Sequence, residues 1–181
     1  LIVSAAPAVT GINDGTTAVD DRVYLRQMLE AGMADFVDGV GVHPYGWANP
    51  PDAQMGSPNN PSTSHNSHPS FFFRQTLDDY AALLAEFGAT QPLWPTEFGW
   101  ATFDGLNAQP PVGVEYMNEV SEWQQAVYTM RSFEMGQERN DIAPMMLWNL
   151  NFAAYLGTDF AEAGYGLLRA DESPRPVYLS L

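Results

Sequence analysis

The order of apolar runs along the chain limits its fold more than any other feature. Four short runs, each typical of a buried strand, alternate with longer stretches in which apolar residues recur at helical spacing. The runs cover residues 1–6, 37–43, 92–100 and 144–150, and the predicted helices cover 20–32, 73–87, 116–139 and a last segment that follows the prolines at 174 and 176. Strands that alternate with helices in this way predict an α/β fold with a parallel sheet and right-handed crossovers.

The charge of the chain limits the partners that it can bind. Its 181 residues include 22 acidic and 7 basic side chains, which gives a net charge of −15. Nucleic acids and anionic membrane surfaces bind clusters of Lys and Arg, so we expect neither as a partner. No run approaches 18 consecutive apolar residues, and membrane insertion is not predicted. The absence of cysteine excludes thiol catalysis, thiolate metal sites and disulfides.

Three of the predicted strands end in aromatic and polar residues. The second ends at His43 and Tyr45, the third carries Glu97 and Trp100, and the fourth ends near Trp148. The carboxyl ends of parallel strands meet at one face of an α/β fold, so these side chains are expected to converge. Aromatic rings stack on the apolar faces of a pyranose, and a carboxylate beside the anomeric carbon can act as a nucleophile. The pattern therefore indicates a rim that recognises carbohydrate.

These strand ends resemble those of the retaining glycoside hydrolases of the large (β/α)8-barrel clan, in particular its family 39-like and cellulase-like bacterial members. The resemblance spans all 181 residues and corresponds to barrel strands five to eight. It implies that residues 1–181 form the C-terminal half of a single (β/α)8 catalytic domain, a TIM barrel whose N-terminal half is missing from this chain. The strand-like run that starts at Leu1 also predicts a piece of a longer protein.

The resemblance assigns a role to each residue that matches the motif. Glu97 matches the nucleophile at the end of strand seven. His43 and Tyr45 match the pair on strand six that lines the sugar subsite, with the tyrosine hydroxyl near the nucleophile. Trp148 matches the strand-eight tryptophan beneath the sugar at the cleavage point, and Trp100 is a second candidate for stacking on it. The resemblance also favours an extracellular or periplasmic location.

The second catalytic carboxylate of this clan has no match in the chain. The clan's general acid/base is a Glu that follows an Asn at the end of strand four, so it is expected upstream of Leu1. Asn118-Glu119 lies inside the predicted helix 116–139 and is expected to form part of a solvated face. The chain alone is therefore predicted to be inactive, and unpaired strand edges predict that it self-associates or pairs with the missing N-terminal half.

Two functions remain open at this point. The first is retaining hydrolysis of O-glycosidic bonds in a polysaccharide, and the second is a non-catalytic carbohydrate-binding module that uses the same aromatic rim. No cofactor is implied by either. His65 and His68 have a spacing compatible with a metal ion, but no third ligand is evident and no metal site is expected. Trp47 and Trp100, both predicted in loops, could each be a sugar platform or a loop anchor.

Overall fold

The computed structural model describes residues 1–57 and 62–181. In chain order its helices and strands are α1 (Asp21–Glu30), β1 (Val40–Val42), α2 (Phe73–Glu86), β2 (Leu93–Pro95), α3 (Glu122–Gln137), α4 (Phe152–Leu156) and α5 (Pro176–Ser180). Short 3-10 helices occupy Met33–Asp35, Pro69–Phe71, Glu115–Glu119 and Ala161–Tyr165.

The two strands pair in parallel, with Gly41 of β1 opposite Trp94 of β2. Single parallel bridges extend this pairing on both sides, because Val3 pairs with Gly39 and Phe98 pairs with Leu147. Four parallel segments therefore lie side by side in chain order. The predicted parallel α/β arrangement is observed, as a short sheet that lies among helices.

The outer two apolar runs are not strands, which corrects the prediction for residues 1–6 and 144–150. Leu1 and Ile2 are 86% and 59% exposed, so the first run lacks the burial that its composition suggests. In the fourth run, Met146 and Leu150 are 47% and 57% exposed, so this run also lacks the burial that its composition suggests. Each run contacts its neighbour through isolated bridges instead of a continuous register.

A glycine in β1 allows the first segment to approach the sheet closely. A Cβ atom built on Gly41 would lie 2.6 Å from the carbonyl oxygen of Ser4. That separation is too short for any side chain, so only glycine permits this contact between the backbones. The Ser4 N–H also donates to the Gly39 carbonyl at 3.0 Å.

The first two helices form where the periodicity predicts them. Asp20 caps α1 and accepts hydrogen bonds from the backbone N–H groups of Arg22 and Val23. Leu25 and Leu29 are the buried apolar residues of α1. In α2 the buried positions include Leu77, Tyr80 and Leu84, which lie three or four residues apart on one face. The amphipathic patterns of both helices thus identify the faces that contact the core.

The third helix differs from the prediction in its start and in its buried face. It begins at Glu122, because the Ser121 side chain and Gln124 form a capping box, and residues 115–119 form a separate 3-10 helix. Of the apolar residues in the predicted helix, Trp123 and Val127 are 69% and 51% exposed, whereas Phe133 packs edge-on against Phe98. The buried residues of the helix are mostly small or polar, namely Gln125, Ala126, Thr129, Ser132, Met135 and Gly136.

The core lies between the sheet segments and the helices. Phe73, Phe98 and Trp100 are almost completely buried there, and the Phe73 ring contacts both of the others. Gln125 joins α3 to this core, since its side-chain amide donates to the Trp100 carbonyl at 2.9 Å. Within residues 1–57 and 62–181, no helix combines the length and the apolar character needed to cross a membrane.

Candidate active site

The two strands deliver the central residues of the candidate site to one edge of the sheet. His43 directly follows β1, and Glu97 lies two residues after the end of β2. Because the strands are parallel and in register, both side chains emerge at the same carboxyl-terminal edge. The Thr96 N–H still donates to the Val42 carbonyl at 3.2 Å, which fixes the two strand ends relative to each other.

The Glu97 carboxylate is held by a tyrosine hydroxyl and remains accessible. The Tyr45 hydroxyl donates to Glu97 Oε2 at 2.9 Å. Burial and the negative charge of Glu97 raise the pKa of Tyr45, so the phenol keeps its proton and its role as a donor. The Glu97 side chain is 34% exposed. The carboxylate is therefore oriented by the protein while one side of it is open to a ligand.

His43 lies beside the same carboxylate oxygen. Its Nδ1 atom is 3.7 Å from Glu97 Oε2, and its Nε2 atom is 3.0 Å from the Thr96 hydroxyl oxygen. Burial lowers the pKa of His43, and the negative charge of Glu97 partly opposes this effect. The imidazole is consequently neutral at pH 7. No imidazolium charge therefore lies against the Glu97 carboxylate at pH 7.

We expect Glu97→Gln to lower the pKa of His43 further. The substitution removes the charge that favours the imidazolium, and burial, which favours the neutral ring, is left unopposed. A titration of the histidine ring signals by NMR measures this pKa, and only three histidines need to be assigned. A His43 pKa that rises in the Gln variant would contradict the arrangement described here.

The lowered pKa of His43 also makes the folding stability depend on pH. Because the pKa of His43 is lower in the folded than in the unfolded chain, the contribution is fully present above pH 6.5. It is lost as the pH falls from there through the folded-state pKa.

An aromatic cluster supports Tyr45 from behind. It consists of Tyr45, Trp47, His65, Phe71, Tyr116 and Tyr165. The Tyr165 ring meets the Tyr45 ring edge-on at 5.4 Å between centroids, and its hydroxyl lies 3.1 Å from the Tyr116 hydroxyl. Burial raises the pKa of Tyr116 to about 12, so this pair of phenols stays protonated. The cluster therefore fixes the ring whose hydroxyl holds Glu97.

Sequence reasoning did not assign Tyr116 and Tyr165 to the site. Both lie in 3-10 helices, which have no distinctive periodicity, and the sequence predicts Tyr116 at the start of the helix 116–139. The one local signal was a tyrosine between two glycines at Gly164-Tyr165-Gly166. Trp47 stacks on the His65 ring at 5.5 Å between centroids, which agrees with the loop-anchor interpretation.

Of the two expected stacking tryptophans, the structure leaves one at the rim. Trp148 is half-buried, and its ring packs against Phe152. Its backbone N–H donates to the Phe98 carbonyl at 2.9 Å. Trp100 is 1% exposed, and its indole N–H donates to the Asn49 carbonyl at 2.7 Å. The expected contact between Trp100 and a sugar is therefore wrong, because this side chain belongs to the core.

The remaining polar candidates have structural partners. His65 packs in the aromatic cluster, and His68 Nε2 lies 3.3 Å from Asp20 Oδ2. Asn118-Glu119 belongs to the 3-10 helix Glu115–Glu119, which corrects its placement in a long helix, and Glu119 accepts a hydrogen bond from the Thr63 N–H at 3.0 Å. Over the part of the chain that the structure describes, no three His, Asp or Glu side chains are grouped to hold a metal ion.

Comparisons with known proteins relate this geometry to one class of fold. The chain is similar to the solved structure of a family 39 glycoside hydrolase from the gut symbiont Bacteroides cellulosilyticus WH2, with 23% identity and a TM-score of 0.57 over 84% of this chain and 27% of that chain. A β-glucuronidase from Ruminococcus gnavus has 17% identity and a TM-score of 0.48, over 82% of this chain and 23% of the other. For a Lactobacillus rhamnosus β-glucuronidase the values are 19% and 0.46, over 81% and 22%.

The first of these similarities identifies the fold as part of a TIM barrel. The chain spans about a quarter of the length of the solved structures that it matches. No protein-family model matches it, and a search of curated proteins gives no match.

Proposed function

We propose that this chain is part of the catalytic domain of a retaining glycoside hydrolase, with Glu97 as the nucleophile. One observation carries the proposal: an accessible carboxylate follows a parallel strand and accepts a hydrogen bond from a half-buried tyrosine at 2.9 Å. The hydrogen bond fixes the orientation of Glu97 and leaves its second oxygen free to attack an anomeric carbon. His43 lines the same subsite, and Trp148 supplies an aromatic face for the sugar ring.

The proposed reaction is a double displacement. Glu97 attacks the anomeric carbon as a protonated carboxyl group donates to the leaving oxygen, and water then hydrolyses the glycosyl ester with the same group acting as base. In this proposal the acid/base Glu lies upstream of residue 1, about 5 Å from Glu97, as retention requires. Residues 1–181 are then the C-terminal half of one (β/α)8 domain, inactive alone, that pairs with the N-terminal half. The four parallel segments in chain order support this arrangement.

A carbohydrate-binding module without catalysis is the alternative. The same aromatic side chains would serve such a module, since Trp148 and Tyr45 provide rings at the rim. A binding module, however, has no need for a carboxylate that is oriented by a tyrosine hydroxyl. The Tyr45–Glu97 hydrogen bond therefore favours the hydrolase.

A covalent trap tests the role of Glu97 directly. The full-length protein that carries these residues is incubated with 2-deoxy-2-fluoro glycosyl fluorides of several neutral sugars, which slow the second displacement and let the glycosyl ester accumulate. We expect peptide mass spectrometry to find one added glycosyl group, on Glu97.

Two matched variants complete the trapping experiment. Glu97→Gln should take up no label, whereas Glu30→Gln, at an exposed position at the end of α1, should be labelled like the parent protein. A label on another carboxylate, or a hydrolysis product of inverted anomeric configuration by NMR, would show that Glu97 is not the nucleophile.

A further inference from the structure

A concave surface lies on the long loop that follows β2. This groove has a volume of about 730 Å³, and its walls come from residues 103–109 and 118–124. The side chains that line it are mostly amides, hydroxyls and carboxylates, including Asn107, Gln109, Asn118 and Glu119. Its volume falls within the range of ligand-binding clefts. Glu97 and Tyr45 do not line it, so the groove is separate from the candidate active site.

One short helix separates the groove from the candidate active site. In the 3-10 helix Glu115–Glu119, Tyr116 points into the aromatic cluster, where its hydroxyl lies 3.1 Å from that of Tyr165. Asn118 and Glu119 of the same helix line the groove. The loop that carries Thr63 and His65 contacts both sides of this helix, because His65 packs on Tyr116 and Thr63 binds Glu119. The two sites therefore share this helix as a common wall.

The hydrogen-bonding groups of the groove suit a sugar. Side-chain amides both donate and accept, and hydroxyl groups of a glycan do the same, so the two surfaces complement each other. The Asn118 amide donates to Gln109 Oε1 at 3.3 Å, a long bond that a ligand hydroxyl could replace. Gln109 and Asn118 are exposed, and their remaining donors and acceptors face solvent.

The charge of the groove selects against anionic sugars. All seven basic side chains of the chain are arginines, and each lies within 4 Å of a carboxylate. Arg169, the arginine that lies against Gly105, is held by Glu122 at 2.7 Å. Asp104 and Glu119 add negative charge to the lining. Uronic acid or sulfate groups would meet repulsion here without a free cation to bind them.

We propose that this groove binds a neutral stretch of a glycan chain whose scissile bond lies at Glu97. The groove would hold sugar units distant from the cleavage point, on the far side of the 3-10 helix Glu115–Glu119. This inference rests on the proposed function, which makes the bound glycan the substrate that is cleaved at Glu97. It adds the substrate class, which is an extended, uncharged polysaccharide. The bond that is cleaved lies inside the polysaccharide, or near one end of a long polysaccharide.

Calorimetric titration of the full-length Glu97→Gln variant tests the groove without turnover. The probes are the disaccharides and hexasaccharides of xylan, cellulose and mannan, and hexagalacturonate as the anionic counterpart. We expect at least one neutral hexasaccharide to bind more tightly than its disaccharide. The double substitution Gln109→Ala/Asn118→Ala should weaken hexasaccharide binding roughly tenfold, since two side chains that hydrogen-bond the ligand are removed.

The controls separate the groove from the catalytic proposal. Asn140→Ala, outside the groove on the loop after α3, should leave hexasaccharide affinity unchanged. Three results would refute the proposal that the groove binds a neutral glycan. They are that no neutral hexasaccharide binds, that Gln109→Ala/Asn118→Ala binds the hexasaccharide as tightly as its parent, or that hexagalacturonate binds best. A protein that lacks hydrolase activity but shows the length-dependent binding would overturn the proposed function and support the groove.

Discussion

Glu97→Gln should reduce the turnover of a glycoside substrate by the full-length protein roughly a thousandfold or more, which is typical for loss of a catalytic nucleophile. The amide has nearly the shape of the carboxylate but cannot attack the anomeric carbon. Its Oε1 atom can still accept the hydrogen bond from Tyr45, so the fold and the position of the side chain should be kept. Initial rates with an aryl glycoside, compared with the unfolding midpoint in urea, measure the two effects separately.

A second variant strengthens the assignment of Glu97. Glu97→Ala leaves a space in which azide can act as the nucleophile, and the expected product is a glycosyl azide of inverted configuration. The matched control Glu30→Gln should keep its activity. If Glu97→Gln turns over substrate like the parent, the assignment of Glu97 as the nucleophile fails. If the parent protein binds glycans but never cleaves them, the binding-module alternative is supported.

Trp100→Ala should destabilise the protein by about 3–5 kcal/mol, the usual cost of removing a buried aromatic side chain. Trp100 is 1% exposed, and its ring lies where a Cβ atom on Gly46 would approach it to within 2.4 Å. The substitution leaves a cavity beside Phe73 and removes the donor to the Asn49 carbonyl. Urea denaturation followed by circular dichroism measures the free energy of unfolding.

The matched control for Trp100→Ala is Trp123→Ala on the outer face of α3. Trp123 is 69% exposed, so its removal should change the free energy of unfolding by about 0.5 kcal/mol or less. Trp100→Phe should give an intermediate loss, because the ring still fills most of the space. If Trp100→Ala left stability unchanged but weakened sugar binding, the assignment of Trp100 to the core would be wrong.

The order of strands and helices could be predicted because the apolar faces of the amphipathic helices contact the same core. Leu25 and Leu29 in α1, and Leu77 and Leu84 in α2, are buried as their spacing predicts. In α3 the spacing of apolar residues does not identify the buried face. Gln125 is buried there, and its side-chain amide donates to the Trp100 carbonyl. Its small polar neighbours let the helix approach the core closely. Periodicity of hydrophobic residues does not report packing that depends on small side chains and satisfied amides.

The central residues of the candidate site could be predicted from the sequence, but the residues that pack behind Tyr45 could not. Glu97, Tyr45 and His43 follow strand ends, and parallel pairing alone brings strand ends together. Tyr116 and Tyr165 come from 3-10 helices far apart in sequence, and only the tertiary fold places their hydroxyls 3.1 Å from each other. Trp100 was misassigned because an aromatic residue near a strand end has the same local pattern whether it lines a site or fills the core.

The division of the 3-10 helix Glu115–Glu119 into two sides has an evolutionary consequence. Tyr116 is tied to the support of Tyr45, whereas Asn118 is exposed and makes one long hydrogen bond. Substitutions on the second side can accumulate without moving Glu97, so descendants of this chain could acquire new substrate preferences while they keep the same chemistry. For protein engineering, the proposed function predicts that positions 107, 109 and 118 form a compact library in which substrate recognition changes while the chemistry at Glu97 is kept.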